Sequence, residues 1–199
     1  MGNDINSIMA GWVDRGPWQY WDTLRAAQAS TLASSYSIFS IPIGQTDPGT
    51  GLVKTKLDTN MQRGNQFPPP RCLVLQQIGF YFASTVLKAD IDLVLNACYV
   101  EFRIDEKIYF EGQLWQFPAG VGLTGVSTQT DESAWVNGVP MPQATRRYGD
   151  YSKYIAPLQQ FSMTIIFPGT PPTLTTTANG GKGLILVPFL DGLTDRAVQ

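Results

Sequence analysis

Apolar residues in this chain recur at every second position in short runs, and glycine or proline bounds nearly every run. In QQFSMTIIFPG, Phe161, Met163, Ile165 and Phe167 share one parity. From Asn96 onward, Tyr99, Glu101 and Arg103 alternate with Val100, Phe102 and Ile104. Successive side chains of a strand point to opposite faces, so this pattern describes strands that bury one face. Asp105-Glu106 forms a tight turn and Lys107 to Phe110 returns as the second arm of a hairpin. Two more strands are CLVLQQIGFYF, from Cys72 to Phe82, and the closing run GLILVPFLDGL. Tyr36, Ile38, Ile41 and Ile43 begin a first strand that Pro42 interrupts. The run LKADIDLVLNACYV is ambiguous: Asp90 caps a short helix ending at Ala97, or the whole run is extended. Asp131 to Tyr154 reads as a polar loop. Strands outnumber helices, and the expected fold is all-β: an antiparallel two-sheet β-sandwich over residues 36–199.

Residues 1–35 read differently. Trp18, Trp21, Leu24 and Leu32 recur at three- and four-residue steps with alanines between them, and Pro17 suits a first helical turn. The expectation is an N-terminal arm with an amphipathic helix. Such a helix either caps the open end of its own sandwich or reaches a neighbouring subunit or a lipid headgroup region. A second unusual stretch, residues 44–70, is rich in turns and ends in Pro68-Pro69-Pro70. Connections of that length tend to be functional or to drape over a partner.

Composition narrows the chemistry. With no histidine, the commonest general base and the commonest zinc ligand are missing. Cys72 and Cys98 each sit in an apolar run and are expected as buried free thiols, although spacing alone does not decide whether they pair. The carboxylate pairs Asp90/Asp92, Asp105/Glu106 and Asp131/Glu132 are better explained by turns, a helix start or a strand edge than by a catalytic cleft. The loops PAGVGLTG and NGGKG lack the spacing of a phosphate loop. No enzyme activity, cofactor or metal is expected. A net charge of -2 opposes strong contact with nucleic acid. The N-terminus does not read as a signal peptide, and no run approaches the ~20 apolar residues of a membrane span. Charged residues make up 15% of the chain against about 25% in ordinary domains. Aromatic residues, favoured in interface cores, make up 12%. Both figures suggest a surface that other molecules cover.

Three stretches, in order, carry a resemblance: KTKLDTNMQRGNQFPPPRCLVLQQIGFYF, FRIDEKIYFEGQLWQFPAGVGLTG and GKGLILVPFLDGLTDRAVQ. Over about three quarters of the chain they resemble jelly-roll capsid proteins of tailless icosahedral viruses, notably bacterial viruses. The resemblance implies a single jelly roll of about eight strands in two Greek keys. It further implies a self-assembling virion protein, made in the host cytoplasm, whose partners are other copies of itself and other coat proteins. It also allows an N-terminal region lying against an internal lipid membrane.

On that reading Trp12, Trp18, Tyr20, Trp21 and the stretch Phe67, Pro68, Pro69 and Pro70 are the expected subunit or membrane contacts. Phe67 has a second possible role, as a plug at the entrance to its own strand. The competing reading is a carbohydrate- or receptor-binding sandwich, such as a spike or fibre head, with Trp115, Trp135, Tyr148, Tyr151 and Tyr154 stacking on sugar rings.

Overall fold

Alternation in sequence becomes alternation in burial. Phe161, Met163, Ile165 and Phe167 are all buried, as are Val100, Phe102 and Ile104, while the residues between them are half-exposed. The computed structural model describes residues 13–118, 124–127, 133–136, 152–175 and 183–197. Strands hold 46% of the described residues, which contain one α-helix. Two antiparallel sheets enclose one core, which makes the chain an all-β sandwich.

The larger sheet contains β1 (Val13–Trp21), β2 (Leu24–Ala26), β4 (Leu73–Phe82), β9 (Lys153–Ile155) and β11 (Leu184–Ala197). Its order is β1-β11-β4-β9, with β2 continuing β1 along β11. The smaller sheet contains β3 (Ser35–Ile38), β5 (Tyr99–Ile104), β6 (Lys107–Gln113) and β10 (Phe161–Ile166), in the order β3-β10-β5-β6. The hairpin β7 (Thr124–Ser127) and β8 (Ser133–Val136) forms a separate two-stranded ladder. The pairings of the two large sheets are nested. First pairs with last (β1 with β11), then β3 with β10, β4 with β9, and β5 with β6 at the centre. The chain therefore doubles back on itself as one long antiparallel ribbon, wound so that successive pairs fall in alternate sheets.

Three local features bend this frame. In β4 the register slips between Asp191 and Gly192 of β11, which leaves Gln76 as an extra residue. The bulge moves the inward positions from Leu73 and Leu75 to Ile78, Phe80 and Phe82. Secondly, Trp21 lies opposite Phe189 and Leu24 opposite Leu186, which puts Asp22 opposite Pro188. Asp22 donates its N–H to the Pro188 carbonyl (3.1 Å), but proline has no N–H to return. The ladder is interrupted there and Asp22 turns inward. Thirdly, Phe39 ends β3 with φ of 63°, a left-handed conformation rare for an aromatic residue.

The expected amphipathic helix in the N-terminal arm is corrected: Val13–Trp21 is a strand. Trp18 and Tyr20 face the core while Pro17 and Gln19 face out, a period of two hidden beneath the three- and four-residue steps. A nine-residue ladder with β11 supplies backbone bonds that no local pattern reveals. The polar stretch read as loop contains the strands Ser133–Val136 and Lys153–Ile155. The ambiguous run is a helix, α1 (Lys88–Ala97), followed directly by β5. Asp90 does not cap it; its carboxylate accepts the Thr175 N–H (2.8 Å) and hydroxyl (2.7 Å), tying α1 to the β10–β11 connection.

Candidate functional site

The residues expected to carry contacts divide sharply. Tyr20 and Phe67 are core residues, the Tyr20 ring 4.4 Å from that of Phe67 and the Phe67 ring stacked at 4.8 Å on Phe161. Phe67 joins the larger sheet to the smaller one, so its role is the plug. Trp18 packs against the core and Trp21 is half-buried. Pro68 and Pro70 are half-buried and Pro69 is exposed. Trp12 lies outside the described residues. Of the alternative sugar-stacking set, Trp115 and Tyr154 are exposed. The side chain of Trp135 and residues Tyr148 and Tyr151 lie outside the described residues.

The long connection between β3 and β4 drapes over its own sandwich. β1 is an edge strand, and its odd-numbered residues aim their bonding groups outward. Asn60 meets them: its N–H donates to the Trp21 carbonyl (3.4 Å), its Oδ1 accepts the Trp21 N–H (3.0 Å) and its Nδ2 donates to the Gln19 carbonyl (2.8 Å). Pro17 has the same parity, so the donor it lacks is one that would face outward. Both devices blunt the edge against pairing with another strand.

Deeper on this flank, Asp22 is the centre of a buried network. Its Oδ1 accepts the Lys54 ammonium (2.5 Å) and the Thr23 N–H (2.9 Å), and its Oδ2 accepts the Phe39 N–H (2.7 Å). Lys54 also donates to the Thr23 carbonyl (3.2 Å). Burial pushes the Asp22 carboxyl above its ordinary range, although Lys54 and the two amides pull it back. Outside this pair, Arg25 bonds Asp58 at 2.8 Å.

The connection turns apolar side chains outward. Leu57 is 89% exposed, Leu52 62% and Val53 54%, and Ile43 is also exposed. Isolated exposed apolar residues are ordinary, and a group on one short segment is a candidate contact surface. Sequence reasoning missed them because GLVKTKL has no strand-like alternation. The signal present was three large apolar residues in a turn-rich stretch with no face to bury them.

At one end of the sandwich, Ala156–Gln159 forms a turn closed by the Gln159 N–H on the Ala156 carbonyl (3.1 Å). Leu158 takes the third position at φ 63°, where glycine or asparagine is usual, and its side chain is exposed. Leu158→Asn should relieve that strain and raise stability by about 0.5–1 kcal/mol. The check is the urea midpoint of unfolding, and an unchanged or lower midpoint removes strain as the explanation.

A second polar cluster joins the ends of β1, β4 and β11. Arg15 makes a two-pronged bond to Asp195 (2.6 and 2.9 Å), and the Cys72 thiol donates to the same carboxylate (3.2 Å). The Arg15 bond holds Asp195 below the ordinary carboxylate range, while burial raises the Cys72 thiol. Burial likewise pushes Cys98 up to about 12. Both thiols are free and buried, so they pack as small apolar groups. Among the described residues no three His, Cys, Asp or Glu side chains are grouped to hold a metal ion, and no helix is long and apolar enough to cross a membrane.

No family model matches the chain, and no curated protein or solved structure matches it either. The functional reading rests on the chain's own topology and surface.

Proposed function

We propose that the chain is a structural coat subunit, a single jelly roll that assembles with copies of itself and other coat proteins into the icosahedral shell of a tailless virus. The nested pairing carries this reading. Counting the eight principal strands in chain order, with β2 taken as part of β1, the larger sheet runs first-eighth-third-sixth and the smaller second-seventh-fourth-fifth. That order is the one a double Greek key would give, and it supports the jelly-roll reading. The three stretches that resemble bacterial-virus coat proteins contain β4, β6, β11 and the second half of β5. The fold is a scaffold that serves many functions, so the assembly reading needs the surface as well. Its support is the exposed apolar group on the β3–β4 connection, held on a rigid frame and combined with a low charge content.

The contact surface moves from the tryptophans to Leu52, Val53 and Leu57. Residues 13–21 and 24–26 are strands, so the lipid contact proposed for a helix there loses its basis over those residues.

Light scattering on the purified protein tests the reading. Large particles are expected, and a clean monomer at high concentration would sink it. The triple variant Leu52→Ser, Val53→Thr, Leu57→Ser removes exposed apolar surface and should leave the melting temperature within a few degrees. It should raise the concentration needed for assembly about tenfold or more, equivalent to about 1.4 kcal/mol per contact. Assembly equal to wild type would place the contacts elsewhere.

A further inference from the structure

Residues 44–58 are a body of their own. Their backbone groups pair internally: Gly44 N–H on the Lys54 carbonyl (2.8 Å), Lys54 N–H on Gln45 (2.9 Å), Asp47 N–H on Leu52 (2.9 Å) and Asp58 N–H on Thr55 (3.0 Å). The segment can leave the sandwich without stranding these groups. Its apolar side chains Leu52, Val53 and Leu57 face solvent, so none of them holds it down. Polar bonds attach it to the sheet: Lys54 to Asp22 and the Thr23 carbonyl, Arg25 to Asp58, and the Thr23 hydroxyl to the Asp58 carbonyl (2.8 Å). Segment and sheet share a half-open pocket of about 350 Å³ lined by Thr23 and Arg25 on the sheet and by Asp47, Leu52, Lys54 and Asp58 on the segment. Both ends are pinned, by the Ile43 N–H on the Met61 carbonyl (3.0 Å) and by Asn60 on Trp21. Gly44, with φ of 84°, stands at the first of these ends as a ready hinge.

We propose that residues 44–58 form a strap that swings off the sandwich flank as a unit, parting Lys54 from Asp22 while both sheets stay paired. Few buried apolar contacts, a half-open pocket against the sheet and a pinned base are the marks of a segment that opens well below the free energy of global unfolding. The latch is weaker than its short contact suggests. Bringing Asp22 and Lys54 together removes both charges from water, and that cost offsets much of their attraction. The strap carries Leu52, Val53 and Leu57, so its opening would displace the surface assigned above to assembly. The strap itself is argued without that assignment.

Amine acylation of the whole wild-type protein tests it, with a maleimide reporting on the thiols in the same sample. Lys54 is buried, Lys56 is exposed on the same segment, and Cys98 lies in the core. Lys54 should acylate roughly 10–100 times more slowly than Lys56 and yet react while Cys98 stays unmodified. Asp22→Asn leaves Lys54 without its counter-charge and should raise the Lys54-to-Lys56 ratio about tenfold, again with Cys98 protected. If Lys54 reacts only as fast as Cys98, opening is global and the strap is wrong; an unchanged ratio in D22N is equally damaging. Should D22N fail to fold, Arg25→Gln removes only the outer bridge. It should raise the ratio a few fold, and no rise would overturn the proposal.

Discussion

Phe67→Ala should cost about 3–5 kcal/mol of stability, the range for deleting a buried aromatic side chain and leaving a cavity. Phe67 has no exposed surface. Its ring touches Tyr20 of β1 on one side and Phe161 of β10 on the other, and Phe161 in turn meets Phe39 (5.9 Å) and Phe102 (6.1 Å). The substitution therefore empties the point where the two sheets meet. A domain stable by about 5–15 kcal/mol would lose a large share of it. Thermal unfolding should fall by about 10 °C or more. The experiment also separates the two roles the sequence left open for this residue. A contact residue would lower assembly and leave the melting temperature in place, whereas a plug lowers the melting temperature first. A variant that melts with wild type would return Phe67 to the interface.

Gly192→Ala should be nearly as damaging, through backbone rather than core. A Cβ there would lie 2.0 Å from the Val74 carbonyl oxygen and 3.2 Å from the Gln76 nitrogen, both on the bulged stretch of β4. Those atoms belong to a paired strand, so they yield only if the ladder between β4 and β11 gives way. A loss of about 3 kcal/mol or more is expected, measured by urea unfolding. Gly169→Ala is the control. Its φ of 84° is left-handed where that of Gly192 is not, and nothing lies within 4 Å of its added Cβ, so its cost is conformational and should stay at about 1 kcal/mol. A cost for Gly192→Ala no larger than that for Gly169→Ala would show that the ladder accommodates the added Cβ and that close approach does not require Gly192.

The strands β5 and β10 were legible because their burial follows their own alternation, β4 because it is a long apolar run, and β11 in its first half. The β5–β6 hairpin was equally plain, with Asp105 at φ 52° in its turn. β1 was misread because Trp18, Trp21 and Leu24 satisfy a helical spacing, while the competing period of two rests on Trp18 and Tyr20 alone. β9 was missed because three residues carry too little pattern. The length and turns of the β3–β4 connection were legible in the sequence, but which of its side chains are exposed was not. Aromatic character suggested Phe67 and the tryptophans, whereas exposure belongs to Leu52, Val53 and Leu57.

Alternation, punctuation and composition by themselves determined the class: an all-β chain with one buried face per strand and two thiols without an evident reactive partner. Those properties follow from side-chain direction and transfer from water, which act residue by residue. Tertiary structure alone decided which strand meets which, and hence that the first strand pairs with the last. It also set Asp22 against Lys54 across 32 residues and turned the β3–β4 connection's leucines outward. Backbone bonding groups are the same in every strand and carry no address. Only the packing of both sheets around one core selects among the ladders they could form.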